Sequence, residues 1–552
     1  MSKRAANTMV EKNPKRNKNQ DITDFTDENL HNNGSEPLQP KLEREQDAFV
    51  NTRFDNKDRV TEKCNKATEK NNKQFDIIAH LSQEIVNLVL QELWQEQCFE
   101  LLAVSKAWRD KVSAYASVWR TIEIRGDEDC VKNIIRLLPY VCEHVVELSE
   151  IYGGLLSNAL YAQIAKGGFS KLQRLYLDNQ LDSSVPTLIV ALSQVAKTLE
   201  CLTINIDNIP AAVDQKKIFD TCTELRSLII DHDTPTALEI IESSCKRLER
   251  FCIGKSHFCN KFKEGNVTMN EKRKHHRQLR SSSSTFTGIQ DFALNIHKNP
   301  KRYIPIIQRN QATIQTLYLD IWNAAYDTDE DELKYREDWE LLGDSCKFPN
   351  LQSLSIHSDC IMFKPLMARV IRNSPNIRAL IFDTVFLEEL DQEFLTAITT
   401  LSSLQMLEVD GETGGEEDLR VIFDAMAPKG KTDTSTLESV KFTSIDFDLR
   451  GIIDSLANIP TIRHLEFGYL ISESNERECL DHLCSRFQSH PGIRSLSFKE
   501  VDNIDDEMLV HLAAIEGLES LHLEDICWIT PQGWSVFDDS SVKLTTVRCN
   551  RN

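Results

Sequence analysis

A pattern Leu-x-x-Leu-x-Leu returns from residue 172 to the end of the 552-residue chain, mostly at intervals of 23–27 residues. It predicts an α/β fold, a horseshoe-shaped solenoid of leucine-rich repeats. Two further observations complete the outline. Residues 81–119 carry three short helical stripes in a unit too small to bury its own apolar surface, and residues 1–74 are polar, poor in aromatics and aperiodic.

The tail is rich in Asn, Lys, Glu, Asp and Gln, which leaves nothing to pack, so residues 1–74 are expected to be disordered. Within it Lys3 and Arg4, a ten-residue spacer, and then Lys15, Arg16 and Lys18 have the spacing of a bipartite nuclear import signal. A plain solvated tail produces the same clusters, and the location expected is cytoplasmic, nuclear or both.

In the helical unit, Ile85, Val86, Leu88, Val89 and Leu93 fall at helical spacing after Ser82. Cys98, Phe99, Leu101, Leu102 and Val104 form a second stripe, and Trp108, Val112 and Tyr115 a third. A unit of this size needs a neighbour to stay folded. The runs Leu81-Ser82-Gln83-Glu84-Ile85, Val104-Ser105-Lys106-Ala107-Trp108-Arg109 and Val118-Trp119-Arg120 resemble the F-box. By that segment substrate receptors dock on the Skp-type adaptor of cullin–RING ubiquitin ligases. The resemblance covers residues 75–124 and implies that Leu81, Ile85, Val89, Leu93, Phe99, Val104, Trp108 and Trp119 serve adaptor binding, some of them as internal packing. Lys106 and Arg109 would meet an acidic rim of the adaptor. Two departures stand out. Ser82 replaces the usual proline and is expected to cap the first helix with its hydroxyl, and Cys98 replaces a leucine. The plainer reading makes the unit a cap on the domain behind it.

Residues 125–144 read as a linker helix. Asp127, Glu128 and Asp129 place carboxylates at the positive end of a helix that carries Val131, Ile134, Ile135 and Leu138. Repeats then occupy residues 145–552, clear at Leu172-Leu175-Leu177, Leu199-Leu202-Ile204, Leu351-Leu354-Ile356 and Leu518-Leu521-Leu523, and weaker at Leu544-Val547-Cys549. In each, two apolar side chains face inward from a short strand, and the remaining residues return by a helix over the same core. Thr530-Pro531 reads as a helix cap followed by proline at the first helical position. Val501 stands where the repeat subtype found behind F-boxes has cysteine. Three insertions interrupt the period. Residues 255–288, with Lys272-Arg273-Lys274-His275-His276-Arg277 and Ser281 to Ser284, are expected to be disordered, and Ile289-Phe292-Leu294 to restart the repeats. The others hold Asp327-Thr328-Asp329-Glu330-Asp331-Glu332 and residues 411–436.

A net charge of -21 and a pI near 5.2 argue against general nucleic-acid binding, which needs clustered lysine and arginine. Fifteen cysteines lack CxxC or zinc-like spacing, which suits a reducing compartment. No run approaches the roughly 20 apolar residues of a membrane span. Phosphate-loop, dinucleotide, zinc-protease, nucleophile-elbow and calcium-loop patterns are absent, so no catalytic residue, cofactor or metal is expected and the chain reads as a non-enzyme. The concave face is the candidate surface for substrate. The position after the last core residue is Asp178, Asp231, Asp320, Asp383, Asp410 and Glu524 in six repeats and Asn205 and His357 in two others, with Tyr176, Tyr318 and Trp322 as aromatic anchors. A row of carboxylates suits a basic target. Aspartate is equally at home as a solvated residue where a strand ends. The reading is a substrate-recognition subunit of a Skp–cullin–F-box ubiquitin ligase, with the adaptor, the cullin and an unidentified protein substrate as partners. The rival is a leucine-rich-repeat scaffold that assembles no ligase; a weaker third reading is a nuclear-transport or RNA-associated repeat protein.

Overall fold

Each L-x-L strand can bury its apolar side chains only beside the equivalent strand of the next repeat, and a parallel sheet is the outcome. The computed structural model describes residues 77–547 apart from 151–155, 178–184, 207–208, 210–211, 231–234, 255–287, 296–299, 322–336, 338–339, 359–362, 385–391, 412–415, 429–434, 445–447, 470–475, 527–528 and 539–541. Among the described residues sixteen strands form one parallel sheet in strict chain order, from β1 (Thr121–Ile124) and β2 (Glu147–Glu150) to β15 (Ser520–Glu524) and β16 (Lys543–Val547). Helices such as Val185–Val195 and Arg450–Ala457 return between strands and bury one face on the sheet. The fold is an α/β leucine-rich-repeat solenoid.

Core positions stay in register from repeat to repeat. Phe442, Phe467 and Phe498 lie on neighbouring strands with ring centroids 5.7 Å apart at each step. Each ring taken out of water contributes roughly 1.5–3 kcal/mol. The carbonyl just before a strand accepts two N–H groups of the next repeat: Val146 O from Gln173 and Arg174, Gln173 O from Glu200 and Cys201. Thr530 caps its helix as expected, accepting the Gln532 N–H at 3.2 Å ahead of Pro531.

The expected boundaries shift in four places. First, the solenoid begins at Trp119, inside the segment assigned to the helical unit. Trp119-x-x-Ile122-x-Ile124 occupies the leucine positions, and Arg120 O accepts the Val146 and Glu147 N–H groups in the manner of the later repeats. Second, the linker helix (Glu128–Leu137, with Asp127 accepting the Cys130 N–H at 2.8 Å) is the return helix of that first repeat. Third, the segment 411–436 contains the helix Glu416–Met426, whose buried Leu419, Ile422 and Phe423 make it an ordinary return helix with longer loops. Fourth, Leu544 pairs with Leu521 and Thr546 with Leu523, so Leu544 holds the second position of its motif rather than the first, Val547 lies on the strand face, and the last motif as read is three residues out of phase. Residues 255–287, between β6 (Arg250–Ile253) and β7 (Asp291–Asn295), lie outside the described residues. The insertion leaves the register intact, for Phe251 pairs directly with Phe292 at 5.8 Å between centroids.

Ahead of the sheet stand α1 (Ile77–His80), α2 (Gln83–Gln91), α3 (Gln95–Val104) and α4 (Lys106–Ser113), one short turn more than the three helices expected. Ser105 caps α4, accepting the Trp108 N–H at 3.2 Å. The unit is joined to the solenoid by polar as well as apolar contacts. The Gln95 side chain donates to Thr121 O at 2.6 Å and accepts the Glu123 N–H at 3.0 Å, which imitates a neighbouring strand along the outer edge of β1.

Candidate functional site

The two faces of α2 have opposite fates. Val86 and Leu90 are buried, whereas Ile85, Leu88 and Val89, spaced to share the other face, are 45%, 59% and 47% exposed. Trp94, 72% exposed at the corner before α3, and Val104, 59% exposed at its end, add apolar surface to the same unit. The Trp94 N–H donates to Gln97 Oε1 at 3.0 Å, so the backbone of that corner is fixed.

Several expected adaptor residues are engaged internally. Phe99 and Trp119 are buried in the core with centroids 5.0 Å apart, and the Trp119 indole N–H donates to Val112 O at 2.9 Å. They cannot line a docking face, because Trp119 is the first core residue of the solenoid and Phe99 packs on it. Arg109 is also committed: its Nε–H donates to Leu102 O at 3.0 Å and its guanidinium lies 4.4 Å from the Tyr140 ring centroid. It ties α4 to α3 and to the first repeat, so it does not reach for an acidic rim. Leu81, Leu93 and Trp108 are half-buried against the core, and Lys106 is exposed. Ser82 makes no cap bond; its hydroxyl bonds the exposed Glu84, whose carboxyl it holds below the ordinary value. Two side chains that hold the unit together escaped the sequence reading. Lys111 donates to the carbonyls of Ile78 (2.7 Å) and Leu81, and Gln95 covers the sheet edge. Lysine and glutamine at those spots carry no sequence signal, since their partners are backbone atoms brought by the fold.

The strand face is less uniform than the row of carboxylates suggested. Lys3, Arg4, Lys15, Arg16, Lys18, Asp178, Asp231 and Trp322 lie outside the described residues. Tyr176 and Tyr318 are buried, so they are not projecting anchors. Tyr318 forms a small apolar cluster with Ile229, Cys252 and Ala293, separate from the main core, and burial pushes the Tyr176 phenol up. Asp320 is buried too, and Glu524 is paired with Lys499 at 3.1 Å. Thr443 and Gly468 occupy the corresponding positions of the two repeats after Asp410, which breaks the row. On the central column of the face Lys441 bridges Glu408 (3.1 Å) and Glu466 (3.4 Å).

One group stands apart. His357, Asp383 and Asp410 come together from three consecutive strands, each half-buried, with one nitrogen or oxygen of each within 4.8 Å of the others. His357 Nδ1 lies 2.8 Å from Asp383 Oδ1, and Asp383 Oδ2 accepts the Ser358 N–H at 2.7 Å. Burial works against a proton on His357, but the Asp383 hydrogen bond and the charges of Asp383, Asp320 and Asp410 outweigh it and raise the imidazole above its ordinary value. The three hold the same position of consecutive repeats in the column read from the sequence; they are 26 and 27 residues apart, and the repeat register brings their side chains together.

No family model matches the chain, and no curated protein matches it. Among solved structures, a chain from the complex of Rad7 and Elc1 in yeast is similar at 14% identity, over 93% of this chain and 98% of that one, with a TM-score of 0.39. An internalin from Listeria monocytogenes is similar at 10% identity, over 83% of this chain and 95% of that one, with a TM-score of 0.26. Superpositions this loose carry no argument, and the fold is established by the chain's own strand order and register. By that geometry the chain is a leucine-rich-repeat solenoid capped by a helical unit that keeps one apolar face open.

Proposed function

We propose that the chain is a non-catalytic receptor in which the helical unit binds a Skp-type adaptor and the solenoid holds a protein to be ubiquitylated. The observation that carries the reading is the exposed face formed by Ile85, Leu88 and Val89, with Trp94 and Val104, on a unit whose opposite side is joined to the sheet. A helix that only capped the solenoid would turn polar residues outward. Burying a half-exposed leucine or isoleucine contributes about 1–2 kcal/mol, so this face can supply much of the energy of a specific contact. The resemblance of residues 81–120 to the F-box gives the class of partner. Ligase chemistry would reside in the partner subunits, and the work of this chain would be to raise the local concentration of a bound target near them.

The test is capture of a recombinant Skp-type adaptor by the full chain, with Ile85→Asp and Leu88→Asp as variants. Retention by the wild type and loss in both variants supports the reading. Failure of the wild type to retain the adaptor leaves the solenoid as a scaffold outside any such ligase.

A further inference from the structure

Adaptor docking makes no use of the polar group at the middle of the strand face. His357 lies near the end of β9 (Ser353–Ser358), Asp383 closes β10 (Ala379–Asp383) and Asp410 closes β11 (Met406–Asp410), and the register sets Asp383 directly beside Asp410. The imidazole is held at both nitrogens, with Nδ1 on Asp383 and Nε2 2.9 Å from Ser355 Oγ, and its ring sits 5.2 Å from that of Tyr318. Asp383 is in turn oriented by the Ser358 N–H. The chain also runs unusually close here. Gly411, directly after Asp410, has φ +135°, and a Cβ there would fall 2.3 Å from Thr384 Oγ1. Glycine thus permits the approach that keeps Asp410 near Asp383.

Two cations suit carboxylates in such a row: the head of a lysine or arginine from a bound protein, and a metal ion. The histidine at the centre separates them. With Nδ1 on Asp383 and its ring against Tyr318, the imidazole already occupies the place beside the Asp383 carboxylate that a basic side chain would take. For a zinc-type cation the same imidazole is a preferred ligand, and the metal takes the place of the proton. We propose that His357, Asp383 and Asp410 bind a divalent cation of the zinc type. Ligand atoms about 2.1 Å from a tetrahedral ion lie about 3.4 Å from one another, so the group has to close by roughly 1.4 Å at its widest, which rotation of the two aspartates can supply. The metal takes the imidazole only in its unprotonated form, so the affinity falls as the pH drops. An ion here would clamp three successive repeats.

The full chain, stripped of metal with a chelator, is titrated calorimetrically with Zn2+ alone and, in separate runs, with Mg2+ and with an arginine- and lysine-rich peptide. Cysteine thiols also take up zinc, so the comparison rests on His357→Gln and Asp410→Asn. The expected result is one Zn2+ site in the wild type that weakens about 10- to 100-fold in each variant, with proton release on binding and unchanged far-UV circular dichroism. Co2+ substitution of the wild type gives a readout independent of the variants' folding. Visible ligand-field bands without a thiolate charge-transfer band are expected. Equal zinc binding by wild type and folded variants overturns the proposal, as do a thiolate band alone or binding of the basic peptide with no zinc site. Adaptor capture plays no part in these readouts, so the receptor reading can fail without affecting them.

Discussion

Trp119 separates a packing role from a docking role more sharply than any other residue. It is fully buried, its indole N–H serves the Val112 carbonyl, and its ring packs on Phe99. Truncation to alanine removes a tryptophan that joins the helical unit to the first repeat, at a cost of about 3–5 kcal/mol. Trp119→Phe keeps most of the ring packing and loses mainly the hydrogen bond, about 1–2 kcal/mol. Because contacts in a solenoid are between neighbours, the damage is local. Hydrogen exchange followed by mass spectrometry is the suitable assay. In Trp119→Ala, peptides covering α4 and β1 should exchange about a hundredfold faster or more, whereas peptides from Phe442 to Leu523 keep wild-type protection. Leu88→Asp, at a surface position, should change stability by no more than about 0.5 kcal/mol. Unchanged protection of residues 105–124 in Trp119→Ala, together with lost adaptor binding, would refute the reasoning: Trp119 would then be a docking residue and the solenoid core would begin later.

Further outcomes follow from individual groups. His490 accepts the Gly492 and Ile493 N–H groups at Nδ1 (3.2 and 3.1 Å) and donates from Nε2 to Ile459 O (3.1 Å), while burial, and secondarily Arg494, hold it below the ordinary 6.5. Its contribution to stability is present above pH 6.5 and lost as the pH falls through the lowered folded value. Urea unfolding at pH 7.5 should show His490→Ala weaker by about 1–3 kcal/mol, and an equal acid loss in wild type and variant would contradict this. His357 has the opposite sign: the stability it gains from Asp383 is present below pH 6.5 and lost as the pH rises through its raised folded value. Its NMR titration should therefore lie above 6.5 and move down in Asp383→Asn; a midpoint insensitive to that change refutes the pairing. Ser82 has φ -66° and no cap bond, so Ser82→Pro should stabilise by about 0.4–1 kcal/mol in thermal unfolding, and a loss of more than 1 kcal/mol would show that its N–H is needed.

The repeats were legible where all three apolar positions are filled by aliphatic residues or phenylalanine. They were harder to read where a position departs. Trp119 leads the first repeat, where it resembled part of the helical unit, and Glu150 holds the third apolar position of the second, beside Leu177. In the last repeat Val547 and Cys549 imitated the motif three residues out of phase, while the true third position is Thr546. The helical unit shows a different limit. A short helix with apolar residues all round, as in α2, states that two faces need cover but not which face its own chain supplies. Val86 and Leu90 turned inward; Ile85, Leu88 and Val89 did not. Trp94 belongs to no helical stripe, and only the coordinates place it in solvent. The group of His357, Asp383 and Asp410 was legible only as three positions of one column, read as a surface for a basic target; that their side chains meet is set by strand register.

The central claim is that the open face of the helical unit is an adaptor-binding surface. Isothermal titration of the full chain with a Skp-type adaptor tests it most directly, with Leu88→Asp combined with Trp94→Ala as the variant and thermal unfolding as the control for folding. The account predicts saturable one-to-one binding by the wild type and at least a hundredfold weaker binding by the variant, whose melting temperature stays within about 2 °C. No measurable binding by the wild type, or equal affinity in a folded variant, would contradict it.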